Sequence, residues 1–239
     1  MSAEVGLASR RPASERGAAT SRVLLIAGVA VAAVAAAAYL AALATHPANA
    51  LLKGFDLQVY LGGGQQALHH PGNLYSWIYQ RHPGIQFTYT PFAALVFAVG
   101  SLLPFRLLMD LVAVVSTFAL VATIWIAFRE LGWERAARTG VTLLLAGLTF
   151  WSEPVQRGLY LGQVELVLMA LVVWDMSQPD RRWWKGAATG IAAGIKLVPL
   201  LFIAYLVVTR RFRQAAVAAG AFVVTVIIGV AALPGQLVY

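Results

Sequence analysis

Asp56 lies just beyond the first long apolar segment, in the stretch Gly54-Phe55-Asp56-Leu57-Gln58-Val59-Tyr60. The residues around it are rich in groups that could assist an acid: Lys53, His69, His70, Tyr75, Trp77, Tyr79, Arg81 and His82. Arg157, Gln163 and Lys196 follow at the ends of later apolar segments. A carboxylate can take a proton from a hydroxyl, and nearby cations can hold a phosphate that leaves with the bonding electrons. Glycosyl transfer from a lipid phosphate needs both. Neither half is specific alone, since an acid and an arginine in one loop commonly form a solvated pair worth under about 1 kcal/mol. The aromatic residues also have an ordinary place in the belt where lipid meets water.

The elements that would position these groups are set by the solvent. The chain is 60% hydrophobic and only 12% charged, and its mean hydropathy is +0.74. Soluble domains carry about twice that share of charge, so this is an integral membrane protein. The net charge of +8 falls in short clusters between apolar segments, the pattern that orients a membrane protein rather than one that binds nucleic acid. With no cysteine, disulfide and thiolate-metal frameworks are excluded.

Residues 1–22, with Arg10, Arg11, Arg16 and Arg22 among Ser, Ala and Gly, read as a disordered basic cytoplasmic tail. Val23 to about Thr45 is long enough to span and reads as a signal anchor, which puts the Asp56 loop outside. The apolar stretch from Pro91 to Pro104 is short for a span. It reads as a helix in the outer interface, with a short spanning helix as the alternative. Spans are then expected at Phe105–Phe128, Thr139–Trp151, Gly162–Met176 and Gln214–Leu233. Gly186–Thr209 has basic clusters at both ends, so two half-length helices broken near Lys196-Leu197-Val198-Pro199 keep both clusters on one side. Pro199 supplies the break, lacking an N–H and disfavouring helix at Val198. The expectation is an all-α polytopic bundle of about seven membrane segments, including this short hairpin pair.

Several weak patterns in fixed order then make a resemblance. Asp56-Leu57-Gln58-Val59-Tyr60, Phe87-Thr88-Tyr89-Thr90-Pro91, Gly162-Gln163-Val164, and Gly190 to Pro199 with Lys196 resemble the polyprenyl-phosphate-mannose-dependent α-1,2-mannosyltransferases. These form glycosyltransferase family 87, within the C-type membrane glycosyltransferases. The resemblance covers nearly all of the chain from Val23 onward. It implies a membrane-embedded glycosyltransferase module over residues 23–239 and an active site on the outer face of a bacterial plasma membrane. Mannose would pass with inversion from a polyprenyl-phosphate donor to a glycolipid or glycan acceptor in the cell envelope.

By the same resemblance Asp56 is the expected base that deprotonates the acceptor hydroxyl. Lys196, Arg81, His82 and Arg157 are the expected partners of the donor phosphate, with a snorkelling lysine and ordinary loop charges as the alternatives. Tyr60, Tyr89 and Gln163 are the expected sugar or acceptor contacts, although a satisfied polar group at a helix end explains such positions as well. No metal or other cofactor is expected, because the adjacent His69 and His70 lack a placed carboxylate. The expected partners are the lipid donor, the acceptor and membrane lipids, and not nucleic acid.

Two departures stand out. Glu165 occupies a position where the family usually has Asn, and an acid there needs a partner or must be neutral. Family members also continue beyond the equivalent of Tyr239, so the chain reads as the N-terminal part of a longer fold, with an inactive fragment or a non-catalytic membrane subunit as one alternative. A polytopic transporter is the other, since it too uses broken helices and an embedded lysine. No internal repeat supports it.

Overall fold

The computed structural model describes residues 13–45, 52–79 and 84–234. The described chain is helical, apart from one isolated antiparallel bridge between Ile78 and Gln86. Helix α1 (Ala13–Thr45) is about 50 Å long at 1.5 Å per residue, more than the hydrocarbon thickness of about 30 Å. It starts N-terminal to the expected Val23, so residues 13–22 are helical. α2 (Phe55–His69), a short 3₁₀ turn (Pro71–Asn73) and α3 (Pro91–Gly100) follow. Then come α4 (Phe105–Glu130), α5 (Arg135–Phe150), α6 (Glu153–Leu161) and α7 (Glu165–Met176). The last three are α8 (Ala187–Ile195), α9 (Leu200–Val208) and α10 (Phe212–Ala232).

Among the described residues three helices have the length and composition to cross a membrane: α1 from Gly17, α4 and α10. The α6–α7 pair, bent by 114°, makes a fourth if it counts as one span. The other expected spans are shorter helices, so the count of seven is not confirmed. α5 has 16 residues, about 24 Å, and lies along α1 in backbone contact. A Cβ on Gly28 would come within 2.2 Å of the Gly140 carbonyl oxygen, the close approach that small residues permit in lipid.

The segment read as an external loop is largely the helix α2, packed on α3. Three consecutive glycines weaken a helix by roughly 1 kcal/mol each, but here they make room. Gly62 lies under Trp77 and Gly63 under Phe87, and a Cβ on Gly64 would meet the Ala98 backbone nitrogen at 2.5 Å. The resulting core joins Tyr60, Leu74, Phe87, Phe97 and Met109. Tyr60 stacks on Phe97 at 4.5 Å between ring centroids. α3 starts at a Thr90 cap, whose hydroxyl accepts from Ala93 N at 3.0 Å, with Pro91 at its first position.

The break at Lys196-Leu197-Val198-Pro199 separates α8 from α9, and both helices pack on α10. Both ends of this segment lie together. Arg213 donates to the Arg182 carbonyl at 3.2 Å, and Arg211 lies 3.9 Å from Asp180. Lys185 Nζ donates to Asp180 Oδ1 at 2.8 Å. That hydrogen bond, followed by the charge on Lys185, holds the Asp180 carboxyl below its ordinary range. One end of the bundle therefore gathers the basic residues, and Lys196 sits at the far tip of the hairpin.

Buried Asp175, near the end of α7, holds that hairpin in place. Its carboxylate accepts from Gly186 N at 2.9 Å, Thr189 N at 3.0 Å and Thr189 Oγ1 at 2.7 Å. It thereby satisfies donors in the first turn of α8 that have no partner within the helix.

Candidate active site

The site forms where the start of α2 meets the α6–α7 joint. Gly54 caps α2 in the left-handed region (φ 62°), and Gly162 ends α6 in the same region (φ 74°). The two backbones approach closely: a Cβ on Gly162 would lie 3.4 Å from Gly54 Cα and 2.8 Å from Leu57 Cβ. Gly54 N donates to the Tyr160 carbonyl at 2.9 Å. This contact joins residues more than a hundred positions apart and brings Gln163 to Asp56, with Gln163 Nε2 donating to Asp56 Oδ2 at 2.6 Å. Asp56 lies in the first turn of α2, where the positive end of the helix dipole favours negative charge.

Gly162→Ala tests this joint. A side chain there adds left-handed strain of about 1–2 kcal/mol to the overlap with Leu57. Thermal unfolding in detergent should fall by roughly 5–10 °C, and the Gln163–Asp56 contact should be lost. An unchanged midpoint would show that the joint tolerates a Cβ.

From Asp56 a polar cluster runs inward. Tyr60, one turn on along α2, is buried and accepts a hydrogen bond from Tyr89 OH at 3.1 Å. Burial, then that hydrogen bond, pushes the Tyr60 phenol far above its ordinary value, so it stays protonated. The Tyr89 backbone carbonyl accepts from Tyr75 OH at 2.9 Å. Lys196 Nζ lies 5.6 Å from the centroid of the Tyr89 ring and is ion-paired with Glu165 Oε1. The hairpin tip is held here because the Thr90 hydroxyl donates to the Gly194 carbonyl.

Glu165, the unusual acid, thus has a cationic partner at the first position of α7, while its Oε2 is buried with no partner among the described residues. A double-mutant cycle on Glu165→Ala and Lys196→Ala should give a coupling of about 1 kcal/mol in thermal or chemical unfolding. Additive single effects would show that the pair does not act as a unit.

Of the expected residues, Asp56, Tyr60, Tyr89, Gln163 and Lys196 come together. Arg157 is exposed at the rim, its guanidinium carbon 5.9 Å from the centroid of the Tyr160 ring. Arg81 and His82 lie outside the described residues. Among the described residues no three His, Asp or Glu side chains converge as a metal site requires. Arg106, which the sequence alone does not single out, lines a pocket on the other face of α2 together with Lys53. Lys53 carries a signal in the sequence, as a cation three residues before an acid. Arg106, at the mouth of an apolar span, offered none distinct from ordinary orientation charge.

The cluster offers a hydrogen-bonded carboxylate for proton removal, phenol hydroxyls for hydroxyl recognition, and cations at its margins. A protein of Mycobacterium tuberculosis (strain CDC 1551 / Oshkosh) is 37% identical over 175 residues, covering 72% of this chain and 40% of its own. It is a polyprenol-phosphate-mannose-dependent alpha-(1-2)-phosphatidylinositol pentamannoside mannosyltransferase. A protein of the same name from Mycolicibacterium smegmatis is also 37% identical, with 72% of this chain and 42% of its own covered. A phosphatidylinositol mannoside mannosyltransferase of M. tuberculosis (strain ATCC 25618 / H37Rv) is 28% identical over 71% of this chain and 40% of its own. The chain spans about two fifths of the length of these curated relatives. No solved structure matches it. The profile of Glycosyltransferase family 87 matches residues 87–239, well over half of the sequence, and the chain belongs to that family.

Proposed function

We propose that this chain carries the catalytic base of a membrane mannosyltransferase that uses a polyprenyl-phosphate-mannose donor and a mannosylated phosphatidylinositol as acceptor. The observation that carries the reading is the Asp56–Gln163 contact at the head of α2, in a chain whose relatives bear that activity in their names.

In the reaction an acceptor hydroxyl gives its proton to Asp56 as its oxygen bonds to the anomeric carbon. The bond from that carbon to the phosphate oxygen breaks, its electrons leave with the phosphate, and the configuration inverts. Gln163 occupies one carboxylate oxygen and fixes the plane of the group, leaving Oδ1 for the incoming hydroxyl. The Glu165–Lys196 pair and Tyr89 form the polar floor. Lys196 donates to sugar oxygens or to the phosphate. Arg157 adds positive charge at the rim.

The reading places Asp56 and Lys196 on the outer face of the plasma membrane and the N-terminus in the cytoplasm. The gathering of Arg182, Lys185, Arg211 and Arg213 at the far end of the bundle supports that orientation, since basic clusters favour the cytoplasmic side.

The test is reconstitution of the full-length protein with radiolabelled donors. Label should pass from polyprenyl-phosphate-mannose to a phosphatidylinositol mannoside, and none from a nucleotide-linked mannose. Transfer from the nucleotide donor alone would refute the reading.

A further inference from the structure

Helices α4, α6 and α9 end in the same turn. A residue in the left-handed region donates its N–H to the carbonyl three residues back, and the next residue donates to the carbonyl five back. After α4 the turn residue is Gly132, bonded to Arg129 at 3.0 Å, and Trp133 bonds Phe128 at 3.1 Å. After α6 it is Gly162, bonded to Leu159 at 3.2 Å, and Gln163 bonds Gly158 at 2.9 Å. After α9 it is Arg210, bonded to Val207 at 2.9 Å, and Arg211 bonds Leu206 at 2.8 Å. Arg210, at φ 61°, is the one residue other than glycine with positive φ among the described residues. Glycine enters that region freely and a side chain does not, so the fold alone favours glycine at 210. Orientation charge does not account for the arginine either, because Arg211 and Arg213 supply it in the same turn without positive φ.

The turn faces the segment between α7 and α8. Arg213 joins the two, donating to the Arg182 carbonyl at 3.2 Å and to the Asp180 carbonyl. Residues 177–186 and 209–213 carry six basic residues and one acid, Asp180. That acid is neutralised from within, because Lys185, only 4% exposed, donates to it at 2.8 Å. Glu130, which approaches through the hydrogen bond of Arg129 to Ser177 Oγ, is held in its pair with Arg129. Arg181, Arg182 and Arg210 are exposed and have no carboxylate partner among the described residues. The Arg182 guanidinium carbon lies 5.3 Å from the Trp184 ring centroid, and Trp184 stacks on Trp174 at 5.3 Å. Beside these cations, Trp183 is 80% exposed and Phe212 62% exposed. Phe212 is the first residue of the spanning helix α10, so the patch stands at the depth where hydrocarbon gives way to headgroups and where aromatic side chains are at home.

We propose that this patch is a binding site for the headgroup of an anionic phospholipid. Arg210, Arg181 and Arg182 take the phosphate, since guanidinium groups match its oxygens two at a time. Trp183 and Phe212 rest against the glycerol and upper acyl region. A soluble anion would leave both rings in water, and a headgroup does not. The strain at Arg210 is then offset by a contact that the isolated protein lacks. With the basic end of the bundle in the cytoplasm the lipid belongs to the inner leaflet, and the site stands apart from the mannosyl-transfer reading.

The experiment uses the full-length protein in phosphatidylcholine nanodiscs with and without phosphatidylglycerol. Native mass spectrometry reads the retained lipid, and thermal unfolding reads stability. The wild type should retain phosphatidylglycerol in preference to phosphatidylcholine, and the preference should shrink in about 0.5 M NaCl. Arg181→Gln should weaken phosphatidylglycerol retention about fivefold. Arg210→Gly should weaken it as much while raising the unfolding midpoint in pure phosphatidylcholine by about 2 °C. Arg210→Lys, with its charge but not its fork, should fall between wild type and Arg210→Gly in retention. Equal retention of the two lipids overturns the proposal, as does unchanged phosphatidylglycerol retention in Arg210→Gly. A lower midpoint for Arg210→Gly in pure phosphatidylcholine would show that the arginine serves the fold, and overturns it too. Displacement of phosphatidylglycerol by soluble glycerol phosphate would make this a soluble-anion site, and displacement by polyglutamate a protein-docking face; either result also sinks the lipid assignment.

Discussion

Asp56→Asn in the full-length protein is expected to lower the rate of mannosyl transfer by about 10²–10⁴-fold, the usual contribution of a general base. Asn keeps the shape of the side chain and can still accept from Gln163, so the start of α2 and the Gly54–Gly162 contact should survive. The loss should therefore fall on kcat, with donor affinity held within about twofold, because only the proton acceptor is removed. Asp56→Glu should retain partial activity. Its carboxylate is still basic but stands one methylene further out, and misplacement of about 1 Å costs about 10²-fold. Steady-state kinetics on reconstituted protein would decide the matter. Unchanged kcat in Asp56→Asn would remove Asp56 from the chemistry, and a rise in donor KM alone would make it a binding residue.

The largest expected loss of stability belongs to a residue outside the site. Asp175→Ala leaves Gly186 N, Thr189 N and Thr189 Oγ1 without their shared acceptor, in a setting where water does not replace it. Hydrogen bonds to charged groups contribute about 1.5–3 kcal/mol each. They are not additive around one carboxylate, so a total of about 3–5 kcal/mol and a fall of about 10 °C in the unfolding midpoint are expected. Asp175→Asn, which keeps one acceptor oxygen, should fall between. The effect should reach the site, because α8 carries Lys196 at its far end: amide exchange in residues 187–196 should quicken more than in α1 or α4. A wild-type midpoint for Asp175→Ala would show that α8 is anchored by helix packing alone.

The elements legible in the sequence are those that a single local signal decides. Unbroken apolar runs gave α1, α4 and α10, and Pro199 between two basic clusters gave the break between α8 and α9. α2 was hidden because Gly62-Gly63-Gly64 argues locally against helix. Its stability comes from Trp77, Phe87 and Ala98 packing onto those glycines, which no nearby residue announces. α6 is marked by Pro154 behind Glu153, a helix-start signal. Asp175 carried a signal as well, since an acid inside an apolar run must have partners, but those partners lie 11 and 14 residues on, across a loop.

Within the site, the residue types at Asp56, Tyr89, Gln163 and Lys196 were readable, and their convergence was not. Asp56 and Gln163 meet through the approach of two left-handed glycines 108 positions apart. The need for a partner at Glu165 followed from the cost of burying a charge, yet its identity as Lys196 required the hairpin to place the tip beside α7. Lys53 and Arg106 illustrate a different limit. Positive residues at the ends of spans are expected for orientation alone, so their facing one pocket is visible only in three dimensions.

The account depends on the head of α2 lying across the membrane from the basic end of the bundle. The chain contains no cysteine, so single-cysteine variants at exposed positions report without background. In intact spheroplasts, a membrane-impermeant maleimide should label Lys53→Cys, three residues before Asp56, at once, and Arg182→Cys only after the membrane is permeabilised. The reverse pattern, with Arg182→Cys labelled from outside and Lys53→Cys protected until permeabilisation, would put Asp56 in the cytoplasm and contradict the account.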